Sequence, residues 1–490
     1  MQNNNAAEVH HAFKKACNAF PAIMNVWNQD LSFSRFVSFF SSNGITALYN
    51  SLNGGILYYL TSSFEIYRPL MEKTRISPQQ ISSEVDTDPV RLSATALSLN
   101  EMLELSFIVP TDLDENEIIE RLRNSFLRPK RFENLTVYLT SGCNLNCDYC
   151  QLHTKPQASP NGSVDMASFK QAVQVFLSPD ATPQNHRRKL QIFGGEPLVE
   201  WATLIEMVEY IRFCEKTEKF GDEKLDISVN TNGVLLTDER LDFLKKNNVY
   251  LSISLDGGKK EHDCYRKDWS GRGTYQKVIN NIKLAKEKGL DVTVLSVLGA
   301  HNLSTLPEFI ESVRDTCAIS NFALNPIFGN QQWQEMFSVG EHRDSLISVI
   351  DKLLNIKGIA VRPFYDQWCE FASGKSMLAS QECILGTRLV LFPGGRVAPC
   401  VDYAFRGNTP RLAPFESLYA DPVWSDVGSK WSLYDPKCYG SCPLIGFCDG
   451  GCPVNAQLID RGQERPFCNL SWALLESFVW RMHRMITQTE

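Results

Sequence analysis

The chain has 490 residues, 43% of them apolar and 21% charged, with a formal net charge of −7. That length exceeds one ordinary domain and predicts about two to four, with enough apolar residues for a packed core. An acidic balance without a basic block counts against nucleic acid as the main partner, because phosphate neutralisation needs clustered Lys and Arg.

In chain order, the opening MQNNNAAEVHHAFKK has no apolar h-region, so no signal peptide is expected. No apolar run reaches membrane-spanning length either, and a cytoplasmic protein is expected. Residues 45–63, ITALYNSLNGGILYYLTSS, read as a hairpin turning at Asn53-Gly54-Gly55. Helical patterns follow near 64–73, 93–104 and 113–126, giving a winged-helix-like α+β domain over 1–130. From 131 to 368 strand and helix signals alternate. Strands are expected at 135–140, 190–195, 226–231, 249–257, 291–298 and 321–328, with amphipathic helices such as WATLIEMVEYIRFCEK between them. Six such units predict an α/β fold, a partial (β/α)6 barrel of TIM type, with the chemistry at the C-terminal ends of the strands. Residues 369–490 are loop-rich, with many Gly, Pro and Cys. That composition suits a domain stapled by inorganic clusters, closed by a terminal helix that packs internally.

Fifteen cysteines are the most informative count. A reducing compartment disfavours disulfides, so clustered cysteines read as metal or cluster ligands. Cys17, Cys214, Cys264 and Cys317 lie apart from the clusters and are expected to be buried small apolar residues. Cys143, Cys147 and Cys150, in TSGCNLNCDYCQ, form Cx3Cx2C just past the first barrel strand. Three thiolates on one loop hold three irons of a cubane and leave the fourth open. The competing reading is a zinc knuckle completed by His153.

The loop, with Tyr149 before its last cysteine, resembles that of radical S-adenosylmethionine (SAM) enzymes, and further motifs follow in order. These are FGGEP with Gly194, Gly195 and Glu196, SVNTNG with Asn230, SISLDGG with Ser254, and HDCYR ending at Arg266. The resemblance implies that SAM chelates the open iron and that one electron splits it into a 5′-deoxyadenosyl radical, which takes hydrogen from an unactivated carbon. It assigns the SAM amino group to the Gly194–Glu196 stretch and the carboxylate to Ser254 and Arg266. It also places Tyr149 and Asn230 among the SAM contacts and Leu298 against adenine. From the residues alone, the two glycines let backbone groups approach a ligand, and Glu196 accepts from an ammonium. The Arg266 fork suits a carboxylate. A strand serine and a solvated arginine are the plain alternative.

The last quarter resembles the seven-cysteine SPASM pattern, which implies two auxiliary [4Fe–4S] clusters and three in all. One would take Cys383, Cys400 and Cys452, with Cys369 a candidate fourth ligand. The other would take Cys438, Cys442, Cys448 and Cys468. Cys438 and Cys442 stand one residue further apart than the family's usual CxxC. A pair of zinc sites is the alternative. Asp402, two residues after Cys400, is the nearest candidate base, or else a solvated loop residue.

The N-terminal module resembles the recognition element of radical SAM enzymes that modify ribosomally made peptides. That implies a precursor leader added as a strand to a sheet edge, a crosslink (thioether, carbon–carbon or ether) in the core peptide, and an electron donor such as flavodoxin or ferredoxin. An exposed apolar strand edge in 45–60 favours recognition, whereas burial against the barrel favours a cap. Oxidation of a Cys or Ser in a protein substrate, as in anaerobic sulfatase maturases, and a non-catalytic zinc scaffold are the alternatives.

Overall fold

The computed structural model describes residues 31–67, 89–119, 132–150, 152, 161–177, 188–217, 224–326, 343–374, 387–401, 409–424, 442–448 and 466–488. The six expected barrel strands are present: β6 (Asn134–Tyr138), β7 (Arg188–Phe193), β8 (Leu225–Thr231), β9 (Val249–Ser254), β10 (Val292–Leu298) and β11 (Asn321–Pro326). Two more extend the parallel sheet. These are β12 (Ala360–Arg362) beyond β11, and β13 (Arg388–Phe392) on the far side of β6. An antiparallel β14 (Arg396–Ala398) completes the nine-stranded order 12-11-10-9-8-7-6-13-14. The two outermost parallel strands do not pair, so the barrel is open. Because β13 joins this sheet beside β6, the sheet does not stop at 368, where the sequence reading drew a boundary.

Strand alternation builds two different faces. Leu190, Ile192, Ile227, Val229, Leu251, Ile253, Val294 and Phe322 are fully buried in the main core. The intervening Gln191, Ser228, Asn230, Ser252, Ser254 and Thr293 are only half-buried and mostly polar, which gives a polar lumen. The helices bring one apolar stripe to the core. In the helix Trp201–Lys216 it is Leu204, Met207, Val208, Ile211 and Cys214, spaced as one helical face requires. Asp238–Lys246 begins on Thr237, which accepts from Arg240 N–H. Acids fill its first turn and lysines its last, complementing the helix dipole.

The expected hairpin forms as β3 (Ile45–Asn50) and β4 (Gly55–Leu60), with β2 (Val37–Ser42) added to give an antiparallel order 2-3-4. A separate antiparallel pair joins β1 (Leu31–Phe33) to β5 (Ile108–Pro110). The helix expected at 93–104 runs Pro89–Glu104. The one at 64–73 is a short turn, Thr61–Phe64, with a 3-10 continuation to Tyr67, beyond which it leaves the described residues. Of 113–126, residues 115–119 are helical and the remainder lies outside the described residues.

The sheet is covered on both faces. Val37, Leu48 and Leu57 share a cluster with Leu99 and Met102 of its own helix. Phe40, Ala47 and Tyr49 belong instead to the main core. Tyr49 meets Phe371 at 5.3 Å and Phe447 at 6.3 Å between ring centroids, and the Tyr58 hydroxyl donates to the carbonyl of Val479 at 2.7 Å. The turn after β3 plugs into the helix Ile445–Cys448. Ser51 Oγ donates to Pro443 O at 2.6 Å, and a Cβ at Gly446 would stand 2.0 Å from Ser51 O. The N-terminal sheet is therefore seated on the C-terminal region, including the final helix Pro466–Thr487, which packs internally as expected.

Candidate functional site

The cysteine loop leaves the C-terminal end of β6 and is tied down along its length. Past the ends of β6 and β7 the ladder continues irregularly: Gly195 N–H donates to Thr140 O at 2.7 Å and Glu196 N–H to Gly142 O at 2.8 Å. Adding a Cβ at Gly194, whose φ is +152°, would bring it 2.5 Å from Thr140 O, and one at Gly195 would come 2.4 Å from Gly142 O. The close approach these glycines permit is thus to the backbone of the cysteine loop. On its other side the loop is clamped by the segment after Tyr265. Asn146 N–H donates to Lys267 O at 2.8 Å, Asp148 N–H to Tyr265 O at 3.3 Å, and Trp269 Nε1–H to Cys143 O at 3.1 Å.

Glu196 is fully buried, and its carboxylate accepts from Leu198 N–H at 3.0 Å, Thr231 Oγ1 at 2.7 Å and Asn232 N–H at 2.7 Å. Burial raises its pKa, and these donors act in the opposite sense. The carboxylate thereby straps the end of β7 to the end of β8. Asn232 in turn donates to Asn144 Oδ1, inside the cysteine loop, at 2.8 Å.

Asp256, two residues past β9, is the centre of the site. It is fully buried and collects groups from three other segments. Its Oδ2 accepts from the Tyr149 hydroxyl at 2.5 Å and from Arg266 Nε at 2.8 Å, and its Oδ1 from Val297 N–H at 2.9 Å. The Arg266 guanidinium lies 5.6 Å above the Tyr149 ring centroid. Burial alone would raise the Asp256 pKa, but Arg266 and the hydrogen bonds outweigh it and hold the carboxyl below its ordinary range. Asp256 carried no role in the sequence analysis. Its legible signal is a carboxylate at a strand end just before Gly257-Gly258.

Behind this pair Asp256 N–H donates to His262 Nδ1 at 3.3 Å. The network therefore assigns the ring proton to Nε2, which donates to Thr274 Oγ1 at 3.0 Å, and that hydroxyl donates to Arg266 O at 3.2 Å. Burial pushes the His262 pKa down to about 4. A histidine held neutral contributes stability that is complete above its unfolded value near 6.5 and lost as pH falls toward 4. The expected loss over that window is on the order of 3 kcal/mol. Urea unfolding of the cluster-free protein from pH 7.5 to 5 should show the slope, and His262→Gln should flatten it. An unchanged slope in that variant would contradict this assignment.

Of the other expected site residues, Asn230 and Ser254 face the lumen, half-buried. Gln191 Nε2 donates to Asn230 Oδ1 at 3.3 Å. Leu298 does not face it. It is 1% exposed in the helix-side core, because alternation along β10 turns Val297, not Leu298, inward. Cys147 is buried, and Cys143 and Cys150 are half-buried. Burial pushes the Cys143 thiol up to about 11 and that of Cys147 up to about 12. Among the described residues no three His, Cys, Asp or Glu side chains converge as ligands of one metal ion do. Three cysteines that each take a different iron need not converge. A second sign of fit is the Tyr138 hydroxyl, buried on the inner face of β6 without a hydrogen-bond partner among the described residues. Sequence reading missed it, although strand parity marks it as inward.

In the last quarter, Ser471 Oγ of the final helix, three residues past Cys468, donates to Cys448 Sγ at 3.2 Å. Cys442 is half-buried beside the same helix pair, Cys400 follows β14 half-buried, and Cys369 is exposed on Phe364–Ala372. Cys383, Cys438, Cys452, Asp402, His153 and Cys17 lie outside the described residues. Cys214 and Cys317 are buried as expected; Cys264 is exposed, contrary to expectation, near the end of the short helix Lys259–Tyr265.

The radical SAM superfamily model matches residues 137–313, from the end of β6 through β10 and into the helix Leu306–Cys317. The chain carries a radical SAM domain. It is 23% identical over 341 residues to the serine-type anaerobic sulfatase-maturating enzyme of Bacteroides thetaiotaomicron, covering 64% of this chain and 80% of that one. It is 26% identical over 353 residues to the antilisterial bacteriocin subtilosin biosynthesis protein AlbA of Bacillus subtilis, covering 69% and 70%. The solved structure of native anSMEcpe with bound AdoMet shares the fold. Its TM-score is 0.58 at 19% identity, covering 73% of this chain and all of that one. Residues 137–313 thus form a radical SAM domain, of the kind that binds a [4Fe–4S] cluster and SAM. Among the described residues no helix is long and apolar enough to cross a membrane.

Proposed function

We propose that this radical SAM enzyme is a peptide maturase, acting on a residue of a ribosomally made precursor peptide and closing a thioether, carbon–carbon or ether crosslink. The observation that carries the reading is a separate antiparallel sheet seated on the C-terminal region of a chain whose barrel has a polar inner face beneath the cysteine loop. When bound, the cluster and SAM supply a 5′-deoxyadenosyl radical that abstracts hydrogen from the substrate.

The chain's own residues prepare that site. Cys143, Cys147 and Cys150 hold the cluster, and the loop after β7 (Gly194, Gly195 and Glu196) offers backbone carbonyls to the SAM ammonium. Ser254 and Arg266 take its carboxylate, with Tyr149 and Asn230 lining the approach. Asp256 holds Arg266 and Tyr149 in place. Cys383, Cys400 and Cys452, with Cys369 as candidate fourth ligand, hold one auxiliary cluster; Cys438, Cys442, Cys448 and Cys468 hold the other. Asp402 is the candidate base. A flavodoxin or ferredoxin supplies the electron, in the cytoplasm.

Leader recognition falls to the domain spanning 1–130. Its sheet ends at β4, which has no further strand beside it among the described residues, is half-buried, and exposes Leu60 at 61%. An edge of this kind accepts an extended peptide by main-chain hydrogen bonds. The sheet's faces are occupied by its own helix and by the C-terminal helices, which supports recognition at the edge over a cap on the barrel. Likeness to a sulfatase-maturating enzyme keeps oxidation of a protein Cys or Ser as the second reading.

Anaerobic reconstitution tests this. About twelve irons per chain are expected for three cubanes, together with reductive formation of 5′-deoxyadenosine. With a candidate precursor peptide as substrate, a mass loss of about two hydrogens per crosslink is expected. Absence of 5′-deoxyadenosine removes the radical chemistry. Its formation with modification of a sulfatase peptide alone selects the second reading.

A further inference from the structure

We propose that Tyr138 donates a hydrogen bond to the iron–sulfur cluster held by Cys143, Cys147 and Cys150 and so raises that cluster's reduction potential; the proposal rests on the radical SAM reading above. Tyr138 is the last residue of β6, five positions before Cys143, and alternation puts its side chain on the inner face with Thr136. It is 2% exposed. Its ring is fixed edge-on to Phe193 at 5.2 Å and tilted against Phe392 at 5.6 Å, so the phenol has little freedom to turn elsewhere. The buried cluster around it also contains Leu152, two residues past Cys150, and Val401, next to Cys400. The ring thus stands where the cysteine loop, the Gly-Gly turn and the β13–β14 hairpin meet.

The hydroxyl is buried and has no partner among the described residues, a condition that native structures rarely leave uncompensated. Its electrostatic neighbours are Cys150 and Cys143, and a phenol is an O–H donor. Ligated sulfurs are the acceptors at that place. A hydrogen bond to a cluster sulfur favours the more negatively charged, reduced state and moves the potential upward. Tyr138 is in this sense a positioning and tuning residue, one layer outside the cysteines.

The test is Tyr138→Phe in the reconstituted full-length enzyme, which deletes one oxygen and keeps the ring packing. EPR-monitored potentiometry with SAM present follows the signal that SAM perturbs, which belongs to the cluster with the open iron. The expected result is a more negative midpoint, loss of an exchangeable-proton coupling in ENDOR after transfer to D2O, and unchanged iron content. Thr136→Val removes the neighbouring partnerless hydroxyl, further from the loop, and should leave the midpoint where it was. An unmoved midpoint and coupling in Tyr138→Phe overturns the proposal. So does weaker SAM binding with an unmoved midpoint, which would assign the phenol to SAM instead. Should Tyr138→Phe lose iron, 3-fluorotyrosine at position 138 keeps the donor and makes it stronger; a midpoint that fails to rise then overturns the proposal. A parent enzyme without any SAM-perturbed signal refutes the radical SAM reading itself, which separates the two failures.

Discussion

Asp256→Ala is expected to lower folding stability by about 3–5 kcal/mol and to reduce SAM affinity severely. The Asp256 side chain has no exposure and that of Arg266 only 11%, so removing the carboxylate leaves a guanidinium buried without its counter-charge. The same change strands the Tyr149 hydroxyl and the Val297 N–H, both of which Asp256 accepts from. Arg266 would then lose the contact that sets its direction toward a carboxylate on SAM. Urea unfolding and equilibrium dialysis with labelled SAM measure the two effects. In the double variant with Arg266→Met the stability loss should be smaller than in Asp256→Ala alone, because no unpaired charge remains inside. Parental stability in Asp256→Ala would show that the pair is a surface feature and not the pin of the site.

Gly195→Ala carries the second large effect. The added Cβ would lie 2.4 Å from Gly142 O and 2.9 Å from both Gly142 C and Ser141 O, all backbone atoms of the cysteine loop. No flexible side chain can yield, so the loop itself must shift. A displacement of about 1 Å at a catalytic centre costs roughly a hundredfold in rate. We expect 5′-deoxyadenosine formation to fall by about that factor, with reduced iron retention at the loop. Gly142→Ala is the informative contrast, since its Cβ would meet only Thr140 Oγ1 at 3.4 Å and Val199 Cγ1 at 3.8 Å, ordinary contacts. Equal activity in Gly195→Ala and the parent would mean the loop is not held by this approach.

Much of the fold was legible in the residues. Strands β6 to β11 were readable because each alternates or runs apolar between turn signals. By contrast β12 and β13 were not, since Ala360–Arg362 is three residues long and Arg388–Phe392 follows a stretch rich in loop formers. Only long-range pairing makes them strands: β13 takes its register from β6, some 250 residues earlier in the chain. The same limit explains Leu298. A leucine at a strand end looks equally suited to lumen or core, and only the phase of β10 against its neighbours assigns it outward to the helices. For Glu196 the sequence showed a carboxylate near a ligand loop, but its three donors come from residues two to thirty-six positions away.

The sequence by itself determined the ligand chemistry and its order along the chain. Thiol spacing, glycines at strand ends and hydrophobic periodicity are local properties, and local properties survive in a linear string. Tertiary structure alone decided which groups meet. It gathered Tyr149, Arg266 and Val297 onto Asp256, set the N-terminal sheet against the final helix, and left the Tyr138 hydroxyl buried without a partner among the described residues. Burial and electrostatic pairing depend on distances across the folded chain, and no spacing in the sequence encodes those directly.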